Sequence, residues 1–523
     1  MGNLLQSFAV LRWILPAMIM WPVLAAVAIR LFGHDASRNE DGAEAPSGGP
    51  DARVLTLFAM IVEGLLGLTL WLVYDPAALG WQASVSWPWL IDLGATFSVG
   101  VDGLSLPMVV LTAVLVPLAF VASWNNVRVK TPSFGAAAML LTAGVVGIFV
   151  SLDLLLFYLS WELMLIPMYF LIGIWGTGER ERASVRYVVF NLVGSLLMLV
   201  AIAALWQRGG GTSFHIDDLR GINLDRGTQL LMFGAFFLSF AVKSALVPVH
   251  SWLPDAQAAA PTFAAVTIGL KVGTYAIMRF AIPLFPAAVA DPRIRGTVLV
   301  LSVVTIVYGA LLAMVQRDLK RLITYSSISH LGFIMLGIFA LTEQSVQGAV
   351  LIMVNHGITT SALFILAGML HDRFGTTDMH VLGGLARHMP AFGVVLTLAM
   401  LSTIGLPGTF GFVGEFLALV GVFAEHPVLA VIATTGVIFA AVYGLRALQR
   451  VLFGLPNESL AAKCNDLNRR EAFVMTAFAV AIIWLGVAPG ALVHRVEPAA
   501  RAVVQAAPSV GAAQTATNGA GRP

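Results

Sequence analysis

The sequence predicts an all-α polytopic membrane protein, with about fourteen transmembrane helices in two inverted five-helix repeats, each containing a broken helix. Three observations carry that prediction. The 523-residue chain is 58% hydrophobic and only 11% charged, with mean hydropathy +0.87, whereas soluble domains carry about 25% charged residues. Apolar runs of about 20 residues, the length that crosses a bilayer, recur from one end to the other. Finally, two runs are interrupted by proline, at Leu246-Val247-Pro248 and Leu406-Pro407.

Composition also narrows the chemistry. A net charge of +2 points to no polyanionic partner, and nothing suggests nucleic acid. The lone cysteine, Cys464, excludes an intrachain disulfide framework and a cysteine-ligated iron–sulfur cluster. No glycine-rich loop follows a strand pattern, so NAD or ATP binding within the chain is not expected. Two neighbouring histidines, His330 and His356, lack any motif that would support haem ligation.

In chain order the spans fall approximately at 8–32, 54–74, 103–124, 133–151, 153–175, 184–206, 228–258 (broken), 262–285, 296–316, 322–341, 346–370, 390–425 (broken), 428–453 and 472–494. The first run is longer than a signal-peptide core and lacks a cleavage site, so it reads as a retained helix. His34 to Asp51 is polar and reads as a flexible loop. Trp81 to Leu90 is rich in tryptophan and suits an interface. Asp102 and Asp153 fall near span ends and read as interfacial; the Ala/Gly/Ser/Thr-rich tail after Val496 reads as poorly ordered. The chain thus divides into N-terminal helices (1–130), a first repeat (131–290), a second, inverted repeat (291–455) and a last helix with a disordered tail (456–523).

Basic residues set the orientation. Arg128 and Lys130, Arg180, Arg182 and Arg186, Arg317, Lys320 and Arg321, and those from Arg446 to Arg470 fall on one side. Roughly eighteen lie there against about ten opposite, which makes that side cytoplasmic and puts both termini in the periplasm.

The repeat is weak but ordered. Glu162 in span five corresponds to His330 in span ten, Asn191 in span six to Asn355 in span eleven, and Leu246 to Pro248 to Leu406 and Pro407. Five spans separate each pair; five is odd, so the copies must be inverted, as in many transporters.

Few ionisable groups interrupt the apolar spans: Glu162, Lys243, Lys271, His330, His356 and Glu415. A lysine in mid-bilayer costs about 2.5–3.5 kcal/mol and normally faces a bundle interior or a wet cavity. Lys243 has apolar sequence on both sides, which disfavours snorkelling. Pro248 cannot donate to the carbonyl of Ser244, so the helix should break just past Lys243. Burial favours a neutral lysine and a nearby carboxylate restores its charge, so Glu162 and Lys243 can act as a proton-affinity switch; the competing reading is a static ion pair. Lys271 can pass the proton onward through water, or instead bond carbonyls freed by the broken helix. His330 and His356 suit a relay near neutral pH, against the plainer reading of satisfied core histidines. Glu415, preceded by glycines and Pro407, suits a loading or exit group. His250 and Asp255, past the first break, either line an entrance or satisfy irregular backbone.

At these residues the sequence resembles the antiporter-like subunits of respiratory complex I, the proton-translocating NADH–quinone oxidoreductase. FAVKSALVPVHSWLPDAQAAAPT, SWELMLIPMYFLIG, YSSISHLGF and GFVGEF carry the resemblance. It implies fourteen helices in two inverted repeats, and a bacterial inner-membrane location. It further implies that Glu162 and Lys243 match the family's glutamate–lysine pair, Lys271 its central lysine, and Glu415 the charged residue of its second broken helix. Members called L and N generally carry lysine at that last position, as do multisubunit cation/proton antiporters; L also has a long C-terminal lateral helix. Glutamate and the absence of that extension point to the remaining member. The resemblance places FMN, iron–sulfur clusters and quinone in partner subunits, none in this chain, with L and N as neighbours. The alternatives are a subunit of a Na+/H+ antiporter or of a membrane-bound hydrogenase.

Overall fold

The long apolar runs all become helical in the computed structural model, which describes residues 11–35, 50–78, 80–454 and 464–507. Most of the His34–Asp51 loop and the tail from residue 508 therefore lie outside the described residues. Twelve helical stretches among those described are long and apolar enough to cross a membrane.

The chain opens with α1 (Ile14–Phe32) and α2 (Ala52–Val73). It then departs from the all-α expectation. Gln82–Leu90 and Ala95–Val101 form an antiparallel hairpin, β1 and β2, pairing Val85 with Val99 and Trp87 with Phe97. Aromatic and valine residues favour the extended pleat, and Trp87 stacks on Phe97 at 5.6 Å. Next come α3 (Ser105–Ala122), α4 (Thr131–Val150), α5 (Leu154–Trp175) and α6 (Arg180–Arg208). The first expected break is present: α7 (Arg226–Lys243) stops at the lysine and α8 (Trp252–Ala259) resumes nine residues on.

The following span is broken too, which its sequence does not announce. α9 (Thr262–Ile268) ends at Gly269, and α10 (Val272–Ala276) starts after Lys271 and runs into a π-helical turn, Ile277–Ala281. Then follow α11 (Pro292–Val315), α12 (Leu319–Ala340) and α13 (Glu343–Phe374). The second expected break separates α14 (Pro390–Thr403) from α15 (Phe410–Glu425), before α16 (Pro427–Leu452) and α17 (Arg469–Val487). Beyond Val496 the chain is not a loose tail as far as it is described. α18 (Gly490–Ala506) is helical to Ala506 and buries Leu492, Val496, Ala499, Ala500 and Val503 on one face.

α12 and α13 form the centre, buried along nearly their whole length. α2, α6, α16 and α17 surround them and turn Leu72, Val200, Val431 and Val487 outward, as lipid-facing helices do. Glycine lets the centre close up. A Cβ on Gly348 of α13 would lie 2.3 Å from the amide nitrogen of Ala418 in α15, so the two backbones touch. That contact brings Glu415 against the histidines.

Candidate proton-relay site

Breaking a helix inside a bilayer frees backbone groups that must find partners. After Lys243 the amides of Ser244, Ala245 and Leu246 bond back to Phe240, Val242 and Ala241, and Trp252 Nε1 donates to the Val242 carbonyl at 2.9 Å. The amide of Val247 reaches Thr305 Oγ1 of α11 at 3.2 Å. The break is thus satisfied on both sides, and it leaves Lys243 pointing sideways. Its Nζ donates to Tyr187 Oη of α6 at 3.1 Å, with the Tyr187 and Trp161 rings at 5.1 and 5.7 Å.

Glu162 of α5 does not pair with Lys243. Its charge acts on Lys243 and on Tyr187, but no ion pair joins it to the lysine, and its Oε1 is buried without a hydrogen bond. The aromatic pocket, rather than the carboxylate, holds the ammonium in this conformation.

Lys271 sits in the unexpected break. Its Nζ donates to the Gly269 carbonyl at 2.7 Å, one of the groups the break sets free. The acceptor is not a carbonyl freed by the break after Lys243, as the plainer reading of Lys271 expects, but one in the lysine's own span. The same residue also lines a cavity of ≈ 20 Å³ together with Lys243, Ser244, Gln257, Thr274 and Ser327. That is room for one water, and Ser244 Oγ and Gln257 Oε1 are both buried without a hydrogen-bond partner. A water there would link the two lysines.

Ser327 carries the cavity to α12, and His330 follows one turn later on the same side. The rings of His330 and His356 meet edge to face at 5.5 Å. His356 bonds Thr360 Oγ1 at 3.0 Å, and it lies within electrostatic reach of Lys271. His330 Nδ1 stands 3.0 Å from Glu415 Oε1, out of line for a hydrogen bond; both side chains are buried, and His330 Nε2 has no partner. Glu415 folds back over the second break. A Cβ on Gly405, whose φ is +75°, would lie 2.7 Å from its Oε2. Lys243, half-buried, and Lys271, His356, His330 and Glu415, all buried, thus form one row through three helix breaks.

The two entrance candidates separate. Asp255 lines an open cavity of ≈ 510 Å³ with Glu179, Arg182, Lys320, Arg321 and His371, at the end where the loop arginines gather. It pairs with Arg186 and, at 3.8 Å, with Arg321. His250 does not line that cavity; it packs edge to face on Tyr308 at 5.4 Å.

Two buried charges, Arg279 and Glu63, escaped the sequence reading, and two acids read as interfacial, Asp102 and Asp153, hold more than an interface. Arg279, one face along from Lys271, pairs with Asp102 at 2.5 Å, bonds Tyr275 Oη at 3.0 Å and stacks on Trp81 at 4.6 Å. Asp102 is therefore a partner of a buried arginine, and not simply interfacial. Burial alone would raise its carboxyl, yet Arg279 and the amides of Ser105 and Leu104 hold it below the usual carboxylate range. Asp153 is fully buried and accepts from Thr96 of the hairpin as well as from Leu155 and Leu156. Glu63 of α2 is buried with neither oxygen hydrogen-bonded, apart from the row. The signal for Arg279 and Glu63 was available, a charge inside an apolar run, and Glu63 stands at the middle of α2.

A family model described as "NADH:quinone oxidoreductase/Mrp antiporter, TM" matches residues 151–440, which contain the whole row. NADH-quinone oxidoreductase subunit M of Rhodobacter capsulatus is 39% identical over 475 residues, covering 88% of this chain and 92% of that protein. The chain belongs to the NADH–quinone oxidoreductase subunit M family. A chain of respiratory complex I from Thermus thermophilus matches with a TM-score of 0.85 and 31% identity, over 95% of this chain and 100% of that one. A chain of the Mrp complex from Dietzia sp. matches at a TM-score of 0.79 and 22% identity, over 95% of this chain and 52% of that one, a likeness of fold alone.

Proposed function

We propose that this chain is the M-type proton-translocating subunit of NADH–quinone oxidoreductase and that its row from Lys243 to Glu415 carries the protons. The observation that supports this best is the continuity of Lys243, Lys271, His356, His330 and Glu415 between broken helices. A proton enters by way of Asp255, is held on Lys243, crosses to Lys271 through water, and reaches Glu415 by way of the histidines. Glu162 sets the affinity of Lys243: close by, it favours the ammonium; withdrawn, as here, it leaves the lysine to its aromatic pocket. Quinone reduction in partner subunits, which hold the FMN, iron–sulfur clusters and quinone, drives that movement. Subunits L and N are the expected neighbours in a bacterial inner membrane.

The two broken segments, added to the twelve long helices, make fourteen spans, with both termini periplasmic and two inverted repeats over 131–290 and 291–455. Backbone bonding at the breaks supports the repeat. Ser244, Ala245 and Leu246 bond to Phe240, Val242 and Ala241; Ile404, Gly405 and Leu406 bond to Met400, Ser402 and Leu401, a constant offset of 160 residues (404 − 244). Ala245 and Gly405, which correspond, both have positive φ.

The test is a native gel of mildly solubilised membranes, stained for NADH oxidation and probed for this chain. Co-migration with a large NADH-active band is the expected result. Migration in an NADH-silent assembly would overturn it in favour of a cation antiporter or a hydrogenase.

A further inference from the structure

A slot of ≈ 270 Å³ opens on the flank of the bundle, away from the row. Its walls are apolar: Leu68 and Trp71 of α2, Leu111 and Leu115 of α3, Ile358 of α13 and Leu485 of α17. Leu68 at its lip is 47% exposed, so the slot is open to what surrounds the helices. One end is closed by α18, through Ala491 and Leu492. α18 is an amphipathic helix tied across the hairpin end of the bundle, by Gln347 Nε2 to the Val493 carbonyl and by Arg501 to Glu343. An amphipathic helix placed so marks the level of lipid headgroups.

At that level a cation stands unneutralised. The Arg495 guanidinium lies over the Trp71 ring at 4.3 Å and bonds the Ala491 carbonyl at 2.8 Å, both on the slot's wall. No carboxylate pairs with Arg495 among the described residues, and its Nε is buried without a hydrogen bond. We infer that the slot between α2, α3 and α17 binds an anionic phospholipid, one acyl chain inside and the phosphate on Arg495. Size and charge select this occupant. A helix about 10 Å across does not fit, while an acyl chain does, and a neutral headgroup leaves the guanidinium unpaired.

The inference needs only that the chain spans a bilayer, so it stands apart from the relay. The intact assembled complex is reconstituted in phosphatidylglycerol or phosphatidylcholine vesicles containing trace amounts of the same lipid with a photoreactive group on its acyl chain. Expected is labelling of peptides containing Leu68, Trp71, Leu111, Leu115 and Leu485 from phosphatidylglycerol. Arg495→Gln should lower it by about fivefold, with NADH oxidation unchanged. Leu115→Trp, which fills the slot, should abolish labelling from either lipid. Equal labelling by the two lipids, or insensitivity to Arg495→Gln, would overturn the headgroup contact. Absence of label from the slot would show that a partner chain covers it, and would end the proposal.

Discussion

Lys243 shows most directly how a costly residue is kept. Inserting it costs about 2.5–3.5 kcal/mol, and contacts to one phenol and two rings offset part of that. The charge-assisted bond to Tyr187 is worth about 1.5–3 kcal/mol. Lys243→Ala is expected to abolish proton pumping through this chain while the complex still assembles, read as the ratio of proton uptake to NADH oxidised in vesicles. Full pumping in that variant would remove the lysine from the path. Tyr187→Phe keeps the ring and loses the hydroxyl, so it should slow coupled turnover by about tenfold or less, without loss of assembly. Glu415 is a milder case, because the related subunits L and N generally carry lysine at its position. Glu415→Ala should impair pumping, and Glu415→Lys should retain part of it; unimpaired pumping in Glu415→Ala would exclude the residue from the relay.

Elements hold these residues in register, and the ties differ in strength. The hairpin is fixed to the bundle by Asp153 and by the Asp102–Arg279 pair. Removing one partner of a buried pair costs about 3–5 kcal/mol. Asp102 keeps some exposure at 22%, so Asp102→Asn should fall near the lower end, seen as faster hydrogen exchange in β1 and β2. The pH dependence has a definite sign. A carboxyl depressed in the folded state contributes stability above its unfolded pKa of about 3.9 and loses it as pH falls through the folded value. The protection that the Asp102–Arg279 pair gives the hairpin, read as wild type against Asp102→Asn, should therefore be steady from pH 5 to 8 and be lost only in stronger acid. The α13–α15 contact is a packing tie. Gly348→Val must drive those backbones apart, at a cost of about 1–3 kcal/mol. It should impair pumping by moving Glu415 away from His330; normal pumping would show that their spacing is not needed.

At the scale of the whole chain, orientation decides what the row connects. Arginines gather around the Asp255 cavity, whereas α18 and the hairpin close the other end of the bundle. With the basic side cytoplasmic, a cysteine at Glu179 in a Cys464→Ser background should react with an impermeant maleimide only from the cytoplasm. One at Arg501 should react only from outside. The reverse pattern would invert the direction of transport.

The sequence by itself determined the membrane class, because a chain this apolar has no other solvent. It also located both proline-marked breaks and every member of the row, since a charge amid twenty apolar residues is visible without coordinates. The hairpin escaped because tryptophan suits an interface and a strand alike. The break at Gly269 to Lys271 escaped because no proline marks it; the ammonium of Lys271, two residues along, takes up the freed Gly269 carbonyl. Only the tertiary structure decided that Tyr187, and not Glu162, meets Lys243, that His330 touches Glu415, and that Asp102 belongs to Arg279. Those are contacts between helices far apart in sequence, and periodicity along one helix carries no information about which side chain faces it from the next.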